Sequence, residues 1–253
     1  FDPTTPSRLD ALIAQSDTLP DAALARARAL RHHLCASGLS KYNLTKATSS
    51  VPSVDGQRRV LVVGQVADDA SLRLGGAPGV DTAGLLRQAR AAHPDAFLIY
   101  KPHPDVEAGL RPGLLEAPEA DWVARNAAIV PLIESAEHLW TISSLAGFEA
   151  LLRKVPVTCL GRPFYAGWGL TVDLGPPIDH RTARPSLDQL VHAVLIDYPH
   201  YVHPQTGLAL SVEAAVELLS QPALFQRSRK VTGLAGLQQR FRGLAPLWRG
   251  AKR

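Results

Sequence analysis

Val60-Leu61-Val62-Val63-Gly64-Gln65-Val66-Ala67-Asp68-Asp69-Ala70-Ser71 sets the architecture of this chain. Four apolar β-formers, Val60 to Val63, run unbroken into a glycine. That is the pattern of a strand buried on both faces that ends abruptly. Open α/β sheets place their ligands beyond the carboxyl ends of such strands, and here Gln65, Asp68, Asp69 and Ser71 follow directly. An acidic cluster at a buried strand tip costs stability unless something satisfies or uses it. Two readings stay open on these residues alone: aspartates that cap the next helix, or aspartates that do chemistry.

From Arg59 onward, apolar runs alternate with helical segments, as in a parallel sheet covered on both faces. The pattern predicts strands at 60–63, 96–100, 138–142 and 157–160, with helices at 82–92, 129–136 and 145–154. The fold class is α/β, a Rossmann-like parallel sheet with helical extensions at both ends. Ahead of the sheet, 6–14 and 20–36 read as helices; Leu24, Leu30 and Leu34 can share a face of the second, which Gly38 stops. A Ser/Thr/Pro/Gly stretch up to Gln57 reads as a linker. Two further helices, 186–196 and 211–219, each open on a serine N-cap. The segment 161–177, rich in glycine and aromatics, is too long for a mere connector. Three parts are expected: 1–57 as lead-in helices and linker, 58–220 as the ligand-binding lobe, and 221–253 as a basic tail.

Composition narrows the function classes. With 253 residues, 46% hydrophobic and 20% charged, the chain is sized for one good core. No apolar run approaches the roughly 18 residues of a membrane span, and Phe1-Asp2-Pro3-Thr4-Thr5-Pro6 lacks the regions of a signal peptide. Methionine is absent even at position 1, which reads as processing or, preferably, as a fragment of a longer protein. Cys35 and Cys159 are too few for a disulfide framework and read as reduced thiols of a cytoplasmic protein. Asn43-Leu44-Thr45 is taken as a chance sequon. A net charge of +4 suits an anionic substrate or membrane surface rather than nucleic acid. Between Gln226 and Arg253 lie eight basic residues and no acidic one, a solvated, partly helical end or a face for anionic lipid or nucleic acid.

Two more clusters sit at expected strand ends. Lys101-Pro102-His103-Pro104 places a cation and an imidazole on a loop stiffened by two prolines, suited to a phosphate or simply to a surface turn. Thr141-Ile142-Ser143-Ser144-Leu145-Ala146-Gly147-Phe148-Glu149 runs from strand through hydroxyls into a helix, where Ser143 and Ser144 serve as caps or bind an anion. Glu149 lies where it can cap locally or reach a ribose hydroxyl. Three half-specific signals at successive strand ends converge on one crevice. No zinc spacing, P-loop, GxGxxG or GxSxG motif accompanies them.

These segments resemble the KpsC-type capsular polysaccharide β-Kdo transferases. The likeness rests on Gly64 to Ser71, Tyr100-Lys101-Pro102-His103-Pro104-Asp105, Ser144-Leu145-Ala146-Gly147-Phe148-Glu149-Ala150-Leu151-Leu152 and Gly161-Arg162-Pro163-Phe164-Tyr165-Ala166-Gly167-Trp168-Gly169-Leu170-Thr171. Leu39-Ser40-Lys41-Tyr42-Asn43-Leu44 and Tyr201-Val202-His203-Pro204-Gln205-Thr206-Gly207 extend it, and the last thirty or so residues fall outside it. Phe1 to Leu9 resembles the exit from the family's first lobe, so the resemblance implies the donor lobe of a GT-B-like glycosyltransferase. Donor binding is then expected of these residues, and transfer only with that first lobe.

The resemblance further implies a retaining enzyme that takes Kdo from CMP-Kdo to a lipid-linked acceptor on phosphatidylglycerol, building the linker of capsular polysaccharide. Retention through a covalent intermediate needs a carboxylate at the anomeric carbon. The family's Gln-x-x-x-Asp-x-Ser pattern falls on Gln65, Asp69 and Ser71, which makes Asp69 the nucleophile rather than Asp68. His103 and Lys101 would meet the CMP phosphate, Ser143 and Ser144 the phosphate or the Kdo carboxylate, and Glu149 the ribose. No metal and no cofactor are expected, CMP-Kdo being the donor substrate. The expected location is cytoplasmic, peripheral to the inner membrane, with capsule-assembly proteins as partners. The rivals are a UDP-sugar transferase or epimerase of GT-B type, and a non-catalytic scaffold of capsule assembly or export.

Overall fold

The computed structural model describes residues 3–41, 51–54, 56–76, 79–114 and 116–220. The expected basic tail, the sequon and part of the expected linker lie outside the described residues. Two compact units emerge, Phe1–His200 and Tyr201–Arg253.

The first unit opens with α1 (Arg8–Ala14), where Ser7 and Asp10 form a reciprocal capping box. Helix α2 (Asp21–Ala36) buries Ala27, Leu30 and Arg31. Then come β1 (Arg59–Val63), α3 (Ala70–Gly75), α4 (Thr82–Ala92), β2 (Phe97–Lys101), α5 (Pro104–Glu107) and β3 (Trp122–Val123). They are followed by α6 (Ile129–Ser135), β4 (His138–Thr141), α7 (Leu145–Leu152), β5 (Val157–Cys159), β6 (Val172–Asp173) and α8 (Leu187–Val191).

All six strands pair in parallel, in the order β3-β2-β1-β4-β5-β6. Strand β1 is central, and Val60, Leu61 and Val62 expose nothing. The pleat divides its side chains. Leu61 and Val63 join Ile99, Leu139 and residues of α1, α2, α6, α7 and α8 in one core. Val60 and Val62 join Leu98, Tyr100, Trp140 and the α4 residues Leu85, Leu86 and Ala89 in the other. Chain progression reverses at β1, with α4 on one face and α7 on the other, so the loops leaving β1 and β4 part and open a crevice.

Several features depart from the sequence expectation. Helices α3 and α5 and the two-residue edge strands β3 and β6 were not expected. The helix expected at 186–196 is α8 followed by a wider π turn, His192–Asp197. There His192 Nδ1 meets Asp197 at 3.0 Å and the Tyr198 N–H donates to Ala193 O at 3.0 Å, both pairings five residues apart. The lead-in helices are not a separate part: α2 packs on α8, and Asp10 of α1 forms a buried ion pair with Arg181 at 2.8 Å. The boundary between units falls at His200, not at residue 220.

The second unit holds a hairpin of β7 (Tyr201–Val202) and β8 (Ala209–Leu210), then α9 (Val212–Ser220). His203 Nδ1 accepts the backbone N–H groups of Gln205 and Thr206 at 3.3 Å each, and Gly207 takes the left-handed φ of 71° that closes the turn.

Candidate active site

The crevice between β1 and β4 is laced together by Gln65. Its carbonyl oxygen accepts the Ser143 N–H at 2.8 Å, while its amide donates to Ser143 Oγ at 3.1 Å and to Ser71 Oγ at 3.3 Å. Ser143 Oγ also donates to the Ser71 carbonyl at 3.3 Å. One buried glutamine therefore ties the loop after β1, the start of α3 and the loop after β4. Gln65, Ser71 and Ser143 meet as expected of one crevice.

The two adjacent aspartates part company. Asp69 caps α3, its carboxylate accepting the Ser71 N–H at 2.9 Å. Burial works to raise the Asp69 pKa, but the Ser71 hydrogen bonds and then the Arg111 and Lys41 charges outweigh it and hold the group below the usual carboxylate range. Asp68 instead pairs with Arg111 at 2.6 Å, and its side chain is 59% exposed. The Arg111 loop is strapped to the same place, since the Ala67 N–H donates to Pro112 O at 2.9 Å.

His103 caps the four-residue α5, its Nδ1 accepting the Asp105 N–H at 3.1 Å. That bond puts the proton of the neutral ring on Nε2. Burial, the largest influence, lowers the His103 pKa; Asp105 and Asp69 oppose it, while Lys41 and Arg111 add to it. Asp69, His103, Lys41 and Arg111 thus share one electrostatic neighbourhood.

Ser144 caps α7, its Oγ accepting the Ala146 N–H at 3.3 Å, and its own N–H is held by Thr141 Oγ1 at 3.1 Å. The 161–177 segment beds this helix start. The buried Tyr165 hydroxyl donates to the Ser144 carbonyl, and its ring lies where a side chain at Gly147 would be.

Two expected site residues have other partners. Lys101 Nζ is bound to Glu107 Oε2 at 2.8 Å and to the Pro102 carbonyl at 3.1 Å, with side-chain exposures of 5% and 10% in the pair. Glu149 is buried in α7, and its Oε1 accepts the Lys41 N–H at 3.0 Å. Burial pushes the Glu149 carboxyl up, against the Lys41 hydrogen bond and the Arg153 and Lys41 charges. Sequence reasoning gave no role to Lys41 or Arg111: Lys41 stands inside the Leu39–Leu44 segment of the likeness without an assigned contact, and Arg111 stands outside every quoted segment. Among the described residues, no group of three or more His, Cys, Asp or Glu side chains gathers as a metal site, and no helix is long and apolar enough to cross a membrane.

A family model described as capsule polysaccharide biosynthesis protein matches residues 1–201. The capsule polysaccharide modification protein LipA of Neisseria meningitidis serogroup B is 42% identical over 232 residues, covering 90% of this chain and 32% of that relative. The chain thus spans 32% of the length of that curated relative. Two solved structures from Thermosulfurimonas dismutans share its fold. KpsC, beta Kdo 2,4 transferase, superposes with a TM-score of 0.77 at 28% identity, over 87% of this chain and 70% of that one. KpsC, beta Kdo 2,7 transferase, gives 0.71 at 34% identity, over 87% and 67%.

Proposed function

Because the chain belongs to the capsule polysaccharide biosynthesis protein family, we propose that its first unit is the donor lobe of a retaining Kdo glycosyltransferase. It takes Kdo from CMP-Kdo for a lipid-linked acceptor, in a two-lobed GT-B-like arrangement whose opposing lobe presents that acceptor. The names of the two similar solved structures, both Kdo transferases, support the sugar. The observation that carries the reading is Asp69. It is a carboxylate held ionised at the sheet's switch point, beside a neutral imidazole and within the Gln65–Ser71–Ser143 lattice.

In this reading Asp69 attacks the anomeric carbon of Kdo as the bond to the CMP phosphate breaks, the phosphate leaving with the bonding pair. His103 Nε2–H hydrogen-bonds the departing phosphate, and the Ser144 hydroxyl at the α7 N-terminus donates to an anionic oxygen, while Ser143, its N–H and Oγ–H already engaged, braces the loop. The acceptor hydroxyl then attacks the same carbon, passing its proton to an oxygen of the released CMP phosphate, and Asp69 leaves again as a carboxylate. Two inversions give retention. A single phosphate asks for less charge compensation than a diphosphate, and side chains plus a helix terminus suffice without a metal. Leu74 of α3, Leu110 after α5 and Leu145 at the start of α7 are exposed apolar side chains offered to the acceptor.

The test is mass spectrometry of the intact protein incubated with CMP-Kdo and no acceptor. The expected result is a Kdo adduct on the peptide carrying Asp69, lost in Asp69→Asn while CMP still binds. Undiminished transfer by Asp69→Asn would sink the double-displacement reading.

A further inference from the structure

Lys41 reaches the crevice on a strap that follows α7. Leu152, the last residue of α7, offers its carbonyl to Arg31 Nη1 at 3.3 Å and to Cys35 Sγ at 3.4 Å, fixing α2 alongside. Gly38, at φ 62°, turns the chain out of α2. About one helical turn nearer the α7 N-terminus, the Lys41 N–H lands on Glu149 Oε1 at 3.0 Å. From Glu149 the remaining rise to the Ser144 cap is about 7 Å, comparable to the length of an extended lysine side chain. Lys41 is exposed, and its charge bears on Asp69, His103 and Glu149 together. Lys101 is buried and bound to Glu107.

We propose that Lys41, and not Lys101, is the lysine of the donor site. Its ammonium meets a phosphate oxygen of the nucleotide between Ser144 and His103, and Glu149 is the positioning residue that docks the strap. The assignment rests on the donor-lobe reading above. A lysine suits this place because its compact charge binds phosphate oxygens without the fixed geometry of a guanidinium. It also gives Glu149 a role other than ribose binding: the carboxylate acts through the lysine it holds.

Calorimetry on the intact protein, with CMP, UDP and cytidine, tests this. Lys41→Gln is expected to weaken CMP about ten- to a hundredfold, the scale of one hydrogen bond to a charged group, and to leave cytidine unaffected. Glu149→Gln keeps an acceptor for the Lys41 N–H and should bind CMP as the wild type does. Glu149→Ala should lose affinity, and the double variant K41Q/E149A should be no weaker than Lys41→Gln alone, because residues acting as one unit are not additive. Unchanged CMP affinity in Lys41→Gln overturns the assignment even where wild-type CMP binding upholds the donor reading. Losses that add in the double variant overturn the role of Glu149. Binding of UDP in place of CMP sinks the donor reading alone, and the Lys41 assignment then stands or falls on the same loss measured with UDP. If neither nucleotide binds the wild type, both readings fall.

Discussion

The two ends of the parallel sheet treat charge in opposite ways. At the carboxyl end, Asp69 stays ionised although partly buried, with Lys41, Arg111 and His103 around it. At the amino end, the rings of His93, His138 and Trp140 pack together, tilted or edge-on, with centroids 5.3 Å apart for the two histidines and 5.7 Å for His93 and Trp140. Trp140 Nε1 donates to His93 Nε2 at 3.1 Å, and the His138 ring meets Thr158 Oγ1 at 2.8 Å. Burial, then the His93 and Arg58 charges, drive the His138 pKa down to about 4. Burial opposes charge at both ends. What differs is the supply of partners: loops and helix starts at the carboxyl end bring N–H donors to a carboxylate, and the amino end brings the His138 imidazole a hydroxyl and the like charges of His93 and Arg58.

The contrast can be broken first at the amino end. His138 has a folded pKa far below its ordinary value, so between pH 6.5 and about 4 the unfolded chain takes up a proton that the folded chain refuses. Its contribution is fully present above that window and is lost as pH falls through it, by roughly 2 kcal/mol once solvent screening of the half-buried ring is allowed for. Urea denaturation at pH 7 and pH 4.5 should therefore show a smaller acid loss for His138→Asn than for the wild type. Equal losses would show that the amino end does not suppress charge.

Next in size is Gln65→Ala at the carboxyl end. It leaves the Ser143 N–H without its acceptor and should cost about 2 kcal/mol in chemical denaturation. It should also cut kcat about ten- to a hundredfold as the two loops lose register, with a smaller change in CMP affinity. A fall in stability with kcat intact would reduce Gln65 to a structural brace. The smallest effect belongs to Asp68→Asn. Its pair with Arg111 is exposed, so stability should change by less than about 1 kcal/mol and activity little. A loss matching that of Asp69→Asn would erase the distinction between the neighbouring carboxylates.

The sheet's interior was written plainly in the chain because β1, β2, β4 and β5 are buried and carry apolar runs. The edge strands β3 and β6 have two residues each, and those of β6 are exposed, so no hydrophobic pattern marks them. Helix α3 is six residues long, too short for a period, so a capping role for the aspartates could stand only as one of two open readings. In the site, Gln65, Ser71 and Ser143 could be brought together because each follows a strand and the crossover rule supplies the meeting point. Lys101 and Lys41 could not be told apart. The Lys101 partner lies six residues on, past a proline-fixed turn, and the Lys41 anchor lies 108 residues away. Burial and long-range pairing have no local signature.

The Asp10–Arg181 pair has a consequence in time. The two residues are 171 positions apart, and Arg181 also donates to Pro163 O and Ala166 O at 2.7 Å each. On a ribosome, α1 emerges with its buried carboxylate lacking a counter-ion, and at about 5–20 residues per second it waits about ten to thirty seconds for Arg181. The π turn His192–Asp197, against which α1 packs, comes later still, and a nascent chain stalled before residue 181 presents Leu9 and Ile13, both buried in the finished fold, to whatever holds unfolded chains.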